Sequence, residues 1–211
     1  MRPLQWLLLC PLSSALAEKY VAWSSVSHSA GPGGRVSMAS TAKAIAETAA
    51  LGDELWFFGG ISSTHLYSAE LWRFDTRTAT WLQFPKPGSP PALEGSVMCA
   101  VGHKLHVFGG ADVTLDPRDD LYVFDTHTLA WSIPGAAGTA PSARSYHAMA
   151  LMEESIFLFG GSDAQSQPLG DVHVLAVATD ALRWTQPSML GTAPSARKGH
   201  TLTKSGAYLY L

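Results

Sequence analysis

SIFLFGG occupies residues 155–161, and two near-copies precede it at long intervals, ELWFFGG at 54–60 and KLHVFGG at 104–110. The glycine pairs Gly59-Gly60, Gly109-Gly110 and Gly160-Gly161 are separated by 50 and then 51 residues. A fixed spacing of this size signals a repeat architecture, and it decides the fold before local propensity does. Each run before the glycines is apolar and rich in β-branched or aromatic residues, which reads as a strand. Glycines directly after a buried strand mark backbone at positive φ, or a close approach that excludes a side chain.

Working downstream, AELWRFDTRTATW (69–81) and DDLYVFDTHTLAW (119–131) match almost position by position. GDVHVLAVATDALRW (170–184) is a looser third copy, with Ala178 placed where Asp75 and Asp125 stand. Trp81, Trp131 and Trp184 are 50 and 53 residues apart, and GTAPSAR recurs at 138–144 and 191–197. Each period resolves into four short strands, which in the best-preserved unit cover residues 145–152, 155–161, 171–177 and 182–186. The Asp and Thr side chains of the Asp-Thr-x-Thr element at 125–128 can bond backbone amides and close the hairpin into the Trp strand. The Trp then lies between neighbouring sheets, so that stacked units share one core.

A period near 50 residues carrying aromatic-Gly-Gly, then Tyr/Phe-Asp-x-x-Thr, then Trp, resembles the kelch repeat over about residues 19–211. The resemblance implies an all-β, kelch-type β-propeller with four-stranded blades around a central channel. Pro-Ser-Ala-Arg-x-x-His at 141–147 and 194–200 is similar to the form found in many kelch proteins without a BTB domain. Trp23 resembles Trp131, so residues 20–25 read as the last strand of a preceding blade. Pro32-Gly33-Gly34-Arg35 matches Pro141-Ser142-Ala143-Arg144, with Met38 in place of the His. Arg35 and Gly59 are 24 residues apart against 16 for Arg144 and Gly160, which puts eight inserted residues around Thr41 to Thr48, as a helical excursion. In the second blade Glu94 and Val97 are assigned to the Arg and His positions. The division is then a signal-like segment (1–17), a partial blade with an insertion (18–48), three repeats (49–94, 95–144, 145–197) and a truncated start of the next (198–211). About three whole blades with partial flanking ones make an incomplete propeller, since closure takes roughly four to eight. Further kelch repeats are expected to close it, and uncovered blade faces carrying Trp81 and Trp184 are expected to promote association.

Net charge is -3, and no block of Lys or Arg occurs, so a nucleic-acid partner is not expected. No run approaches the roughly 18 apolar residues of a membrane span. The chain has two cysteines, Cys10 and Cys99, which excludes a disulfide framework and leaves Cys99 as a small buried apolar residue. MRPLQWLLLCPLSSALA (1–17) reads as a secretory signal, with Arg2, a short apolar run and a small-x-small cleavage site. The location it implies is secreted or extracellular, the alternative being cytoplasmic.

His147 and His200 share one repeat position, so blade geometry explains them better than ligation. His103 and His106, three apart on a strand, point to opposite faces and cannot chelate one ion. With no HExxH, CxxC, P-loop or GxSxG, no metal or cofactor is expected. Galactose oxidase shares the repeat type, yet Cys99 has no identifiable Tyr and His partners for a copper radical site. Arg35, Arg144 and Arg197 recur before the first strand, either as donors for an acidic peptide or carboxylate or as partners of a neighbouring blade's acid. The loops 61–70, 111–120 and 162–171 are the least alike, as in a scaffold presenting a contact surface, although drift at exposed tips gives the same pattern. The function expected is a non-catalytic scaffold offering these loops to a protein partner. The alternatives are a galactose-oxidase-like enzyme fragment and an extracellular carbohydrate-binding propeller.

Overall fold

The computed structural model describes residues 31–43, 54–84 and 87–211, and among these all regular structure is β. The short strands β1 (Arg35–Val36), β2 (Ala39–Lys43), β3 (Glu54–Phe58), β4 (Ile61–Ser62), β5 (Leu71–Asp75) and β6 (Thr80–Phe84) open the chain. Four of them form an antiparallel sheet in the order β2-β3-β5-β6, while β1 pairs with β4. The second sheet has β7 (Val97–Val101), β8 (Lys104–Phe108), β9 (Leu121–Asp125) and β10 (Ala130–Ser132) as neighbours in sequence order. β11 (Ala137–Gly138) follows, then β12 (Ala148–Met152), β13 (Ser155–Phe159), β14 (Val172–Ala176) and β15 (Arg183–Thr185). A hairpin of β16 (Thr203–Ser205) and β17 (Tyr208–Tyr210) ends the chain. The first strands run side by side, β2 against β7, β7 against β12 and β12 against β16, so the sheets form consecutive blades of a propeller.

Burial explains the stacking. The second sheet is covered on both faces, and its central strands are nearly all buried. Strand alternation divides their side chains between two cores. Leu105, Val107, Tyr122 and Phe124 meet Trp56 and Phe58 of the first sheet, whereas Phe108, Leu121 and Val123 meet Ile156, Leu158 and Trp184 of the third. Trp131 packs on Phe58 with ring centroids 5.5 Å apart, and Trp184 packs on Phe108 at 5.3 Å, so each tryptophan lies on the preceding blade's Phe-Gly-Gly. Trp184 is therefore 2% exposed inside a blade interface rather than on an open face. Trp81 is half-buried against Phe57 and Phe74 of its own sheet.

The register corrects several alignments. Ser155 pairs with Ala176 as Lys104 pairs with Asp125, so Ala176, not Ala178, stands at the Asp position. The third copy carries its two extra residues in the β14–β15 turn, and counting back from Trp184 misplaces the match. Leu93 and Ser96, not Glu94 and Val97, occupy the Arg and His positions. The carbonyl of Leu93 accepts the Gly60 N–H just as that of Arg144 accepts the Gly110 N–H. The third sheet has five strands rather than four, because β11 adds a short parallel edge beside β15. Residues 41–43 belong to β2, so the eight extra residues lie in the connection 44–53, where the other sheets have two-residue turns. β2 also places the boundary drawn between 48 and 49 inside the first sheet's span. The expected helical excursion, the Trp23 strand and the segment 1–17 lie outside the described residues.

Candidate protein-binding face

Antiparallel order puts two kinds of connection at the same end of every blade. One joins the second strand to the third, and the other leads from the fourth strand into the next blade. The second-to-third connections differ in sequence but share one backbone. Ser62, Asp112 and Asp163 each accept at their carbonyl an N–H from three residues on, at 2.9, 2.9 and 3.0 Å. Their side-chain oxygens accept further amides, from Thr64 and Leu66, from Thr114, and from Gln165 and Gln167. His65, Leu115 and Ser166 all sit at φ of 60 to 64°, completing the same tight turn. Such a frame holds the tips still whatever side chains they carry. Leu66, Val113 and Leu115 are 66–69% exposed on the first two loops, while the third presents Gln165, Ser166 and Gln167. Arg118 braces the middle loop by an ion pair to Asp112 at 2.5 Å. Hydrogen bonds from Thr114, and then from Arg118, hold the Asp112 carboxyl down at about 2.

Beneath the loops the repeat residues are taken up by blade contacts. Arg144 is fully buried, its guanidinium bidentate to Asp171 at 2.7 and 2.8 Å and bonded also to Gly160 O and Ser142. It cannot reach a partner's carboxylate. Asp171 belongs to the same sheet, not to a neighbouring blade; the backbone of Arg144 makes the inter-blade link, through Gly110 and Arg118. Arg35 pairs likewise with Glu70 at 2.6 Å. Arg197 bonds Ser195 through Nε and Nη2, and is the one of the three whose described side-chain bonds are to neutral groups. His147 and His200 set their rings edge-on to Phe108 and Phe159 of the blade before, at 5.6 and 5.4 Å. The first glycine of each pair faces the next blade: a Cβ on Gly59, Gly109 or Gly160 would stand 2.5–2.6 Å from the carbonyl oxygen of Leu93, Arg144 or Arg197.

A further row was not legible in the sequence. Ser37, Gly95, Tyr146 and Gly199 occupy one repeat position, all at positive φ. Gly95 N–H donates to Ser37 O, Tyr146 N–H to Gly95 O and Gly199 N–H to Tyr146 O, at 3.1, 2.7 and 2.8 Å. This ladder ties consecutive blades through backbone alone, which is why four positions use three residue types and leave no motif.

Comparison with known proteins decides the family. The KLHDC2/KLHL20/DRC7 Kelch-repeats domain matches residues 21–211. The chain is a kelch-repeat protein. Among kelch relatives, the Rab9 effector protein with kelch motifs of Xenopus laevis is 35% identical over 79 residues, 37% of this chain and 22% of that protein. The human protein of the same name is 32% identical over 79 residues, 37% of this chain and 21% of its own length. Acyl-CoA-binding domain-containing protein 4 of Arabidopsis thaliana is 34% identical over 150 residues, 70% of this chain and 22% of the relative. The chain thus spans about a fifth of the length of the curated relatives it matches. The solved structure of YjhT superposes with a TM-score of 0.68 at 19% identity, covering 92% of this chain and 62% of that one, a likeness of fold.

Proposed function

We propose that this kelch chain is a non-catalytic binding module whose partner protein docks on the loops 61–70, 111–120 and 162–171. The observation that carries the reading is one fixed loop backbone bearing three different sets of exposed tips, with Leu66, Val113 and Leu115 standing in water. Rigid tips bind without a large ordering cost, and exposed apolar side chains supply contact area. The reactive residue types below them support binding over chemistry. Burial pushes the Cys99 thiol up to about 12, so it is no nucleophile near neutrality. Burial, helped by the charges of Arg144 and His200, pushes His147 down to about 3, so it is no acid–base group there either.

The relatives named as Rab9 effectors make a Rab9-type protein the first partner to test. Affinity enrichment with the intact chain is compared with Leu66→Asp/Leu115→Asp, an exchange that the left-handed backbone at Leu115 tolerates. Loss of a partner from the variant at unchanged melting temperature supports the reading; an identical partner set contradicts it. Location is a separate proposal, export directed by residues 1–17. A mature N-terminus at Glu18 supports it, and an intact Met1 turns the search to cytoplasmic partners.

A further inference from the structure

We propose that His103, Asp125 and His127 form a binding site for a divalent transition metal of the zinc class, at the end of the second blade away from the loop face. His103 lies in the β7–β8 turn, Asp125 ends β9, and His127 follows in the β9–β10 turn. Pairing of Lys104 with Asp125 sets the two turns side by side, and Thr126 N–H donates to His103 O at 2.8 Å. One ligand atom from each residue lies within 4.8 Å of the other two. His103 Nε2 is 3.4 Å from Asp125 Oδ2, and the two imidazoles are stacked, centroids 4.6 Å apart and planes 7° from parallel.

Three features argue for a site rather than a chance cluster. The carboxylate is held in place, because Asp125 Oδ1 accepts the amides of His127 and Thr128 at 2.8 and 3.0 Å while Oδ2 faces His103. The rings have no packing duty that the repeat imposes: His127 stands where the first blade has Arg77, and His103 where the third has Glu154. His147 and His200, by contrast, recur because they pack on the preceding blade. Finally, both rings are exposed enough to turn. Zinc–nitrogen bonds of about 2.0–2.1 Å put tetrahedral ligand atoms roughly 3.4 Å apart, so closing on an ion takes about 1 Å of side-chain rotation.

Two imidazoles and one carboxylate suit zinc, copper(II) or nickel rather than magnesium or calcium. Three protein ligands leave a position for water or an anion. His103 and Asp125 border a cleft of ≈ 590 Å³ between the second and third blades, whose wall includes Lys104, Thr128, Trp131 and Leu182. The site is hidden in the sequence because the histidine nearest His103 there is His106. His106 is 2% exposed and turned into the core, and the true neighbour of His103 arrives from the adjacent hairpin, 24 positions later.

Zinc chloride titrated calorimetrically into the full-length chain is the test, with cobalt(II) absorption as a second readout of the ligand set. The wild type is expected to bind about one equivalent saturably, and His103→Gln/His127→Gln to weaken that binding at least about tenfold. The variant should keep the melting temperature measured in EDTA, since both rings are solvent-exposed, and His65→Gln should bind as the wild type does. Absence of saturable zinc binding, or a double variant that binds as tightly as the wild type, overturns the assignment.

Discussion

At the scale of single residues, the kelch glycines do two separable things. Gly109 has φ of +61°, and a Cβ there would stand 2.5 Å from Arg144 O; Gly102 has φ of +55° with nothing within 4 Å. Gly102→Ala should therefore show only the conformational penalty, about 1–2 kcal/mol. Gly109→Ala adds the displacement of a neighbouring blade and should cost clearly more by urea denaturation. Equal losses would mean that blade contact is not what excludes the side chain. The Arg144–Asp171 pair makes a second test. Asp171→Asn leaves a fully buried guanidinium without its counter-charge, an expected loss of about 3–5 kcal/mol. Burial by itself raises the Asp171 carboxyl, but the hydrogen bonds and charge of Arg144, with His173, outweigh it and bring the group to about 2. A depressed carboxyl stabilises the fold above its unfolded value near 3.8, and that contribution fades as pH falls towards 2. The acid slope in that window should be flatter in Asp171→Asn.

Among the elements, the tryptophan strands carry the blade interfaces. Trp131 is 9% exposed between Phe58 and Phe124, so Trp131→Ala should cost about 3–5 kcal/mol, whereas the half-buried Trp81 should cost less. A loss near zero at Trp131 would remove it from the interface. These strands were legible because a buried aromatic at a fixed interval leaves a trace in the sequence, and the same holds for the glycine pairs. Asp125 closes its hairpin as the sequence suggests, accepting two amides, and Asp75 does the same in the first sheet. Positions that work through the backbone were harder to read. The Ser37–Gly95–Tyr146–Gly199 ladder has no common side chain, and Leu93 could not be aligned without the carbonyl that Gly60 bonds. The same limit applied to the loops, where Ser62, Asp112 and Asp163 make one turn from three dissimilar strings. Arg144 was recognised as a repeat position but not as a buried one, because an arginine reads alike whether its acid is inside or absent.

For the whole molecule, buried imidazoles make stability depend on acid. His147 is held near 3 chiefly by burial, and His106 near 4 by burial and then by the charge of Lys104. Both stay neutral in the fold and take up protons near 6.5 once unfolded, so their contribution is whole above that pH and lost as pH falls towards 4. The melting temperature should drop between pH 7 and 4.5, and His106→Leu should lessen the drop; a flat profile would contradict this. The two ends of the blades are likewise assigned different work, with a partner on the loop end and an ion on the turn end. Calorimetric affinity of the captured partner for Leu66→Asp/Leu115→Asp and for His103→Gln/His127→Gln tests that division. The loop variant should lose at least about tenfold in affinity, roughly 1.4 kcal/mol, and the turn variant should bind as the wild type does. Full affinity in the loop variant, with loss confined to the turn variant, would place the binding face at the wrong end of the molecule.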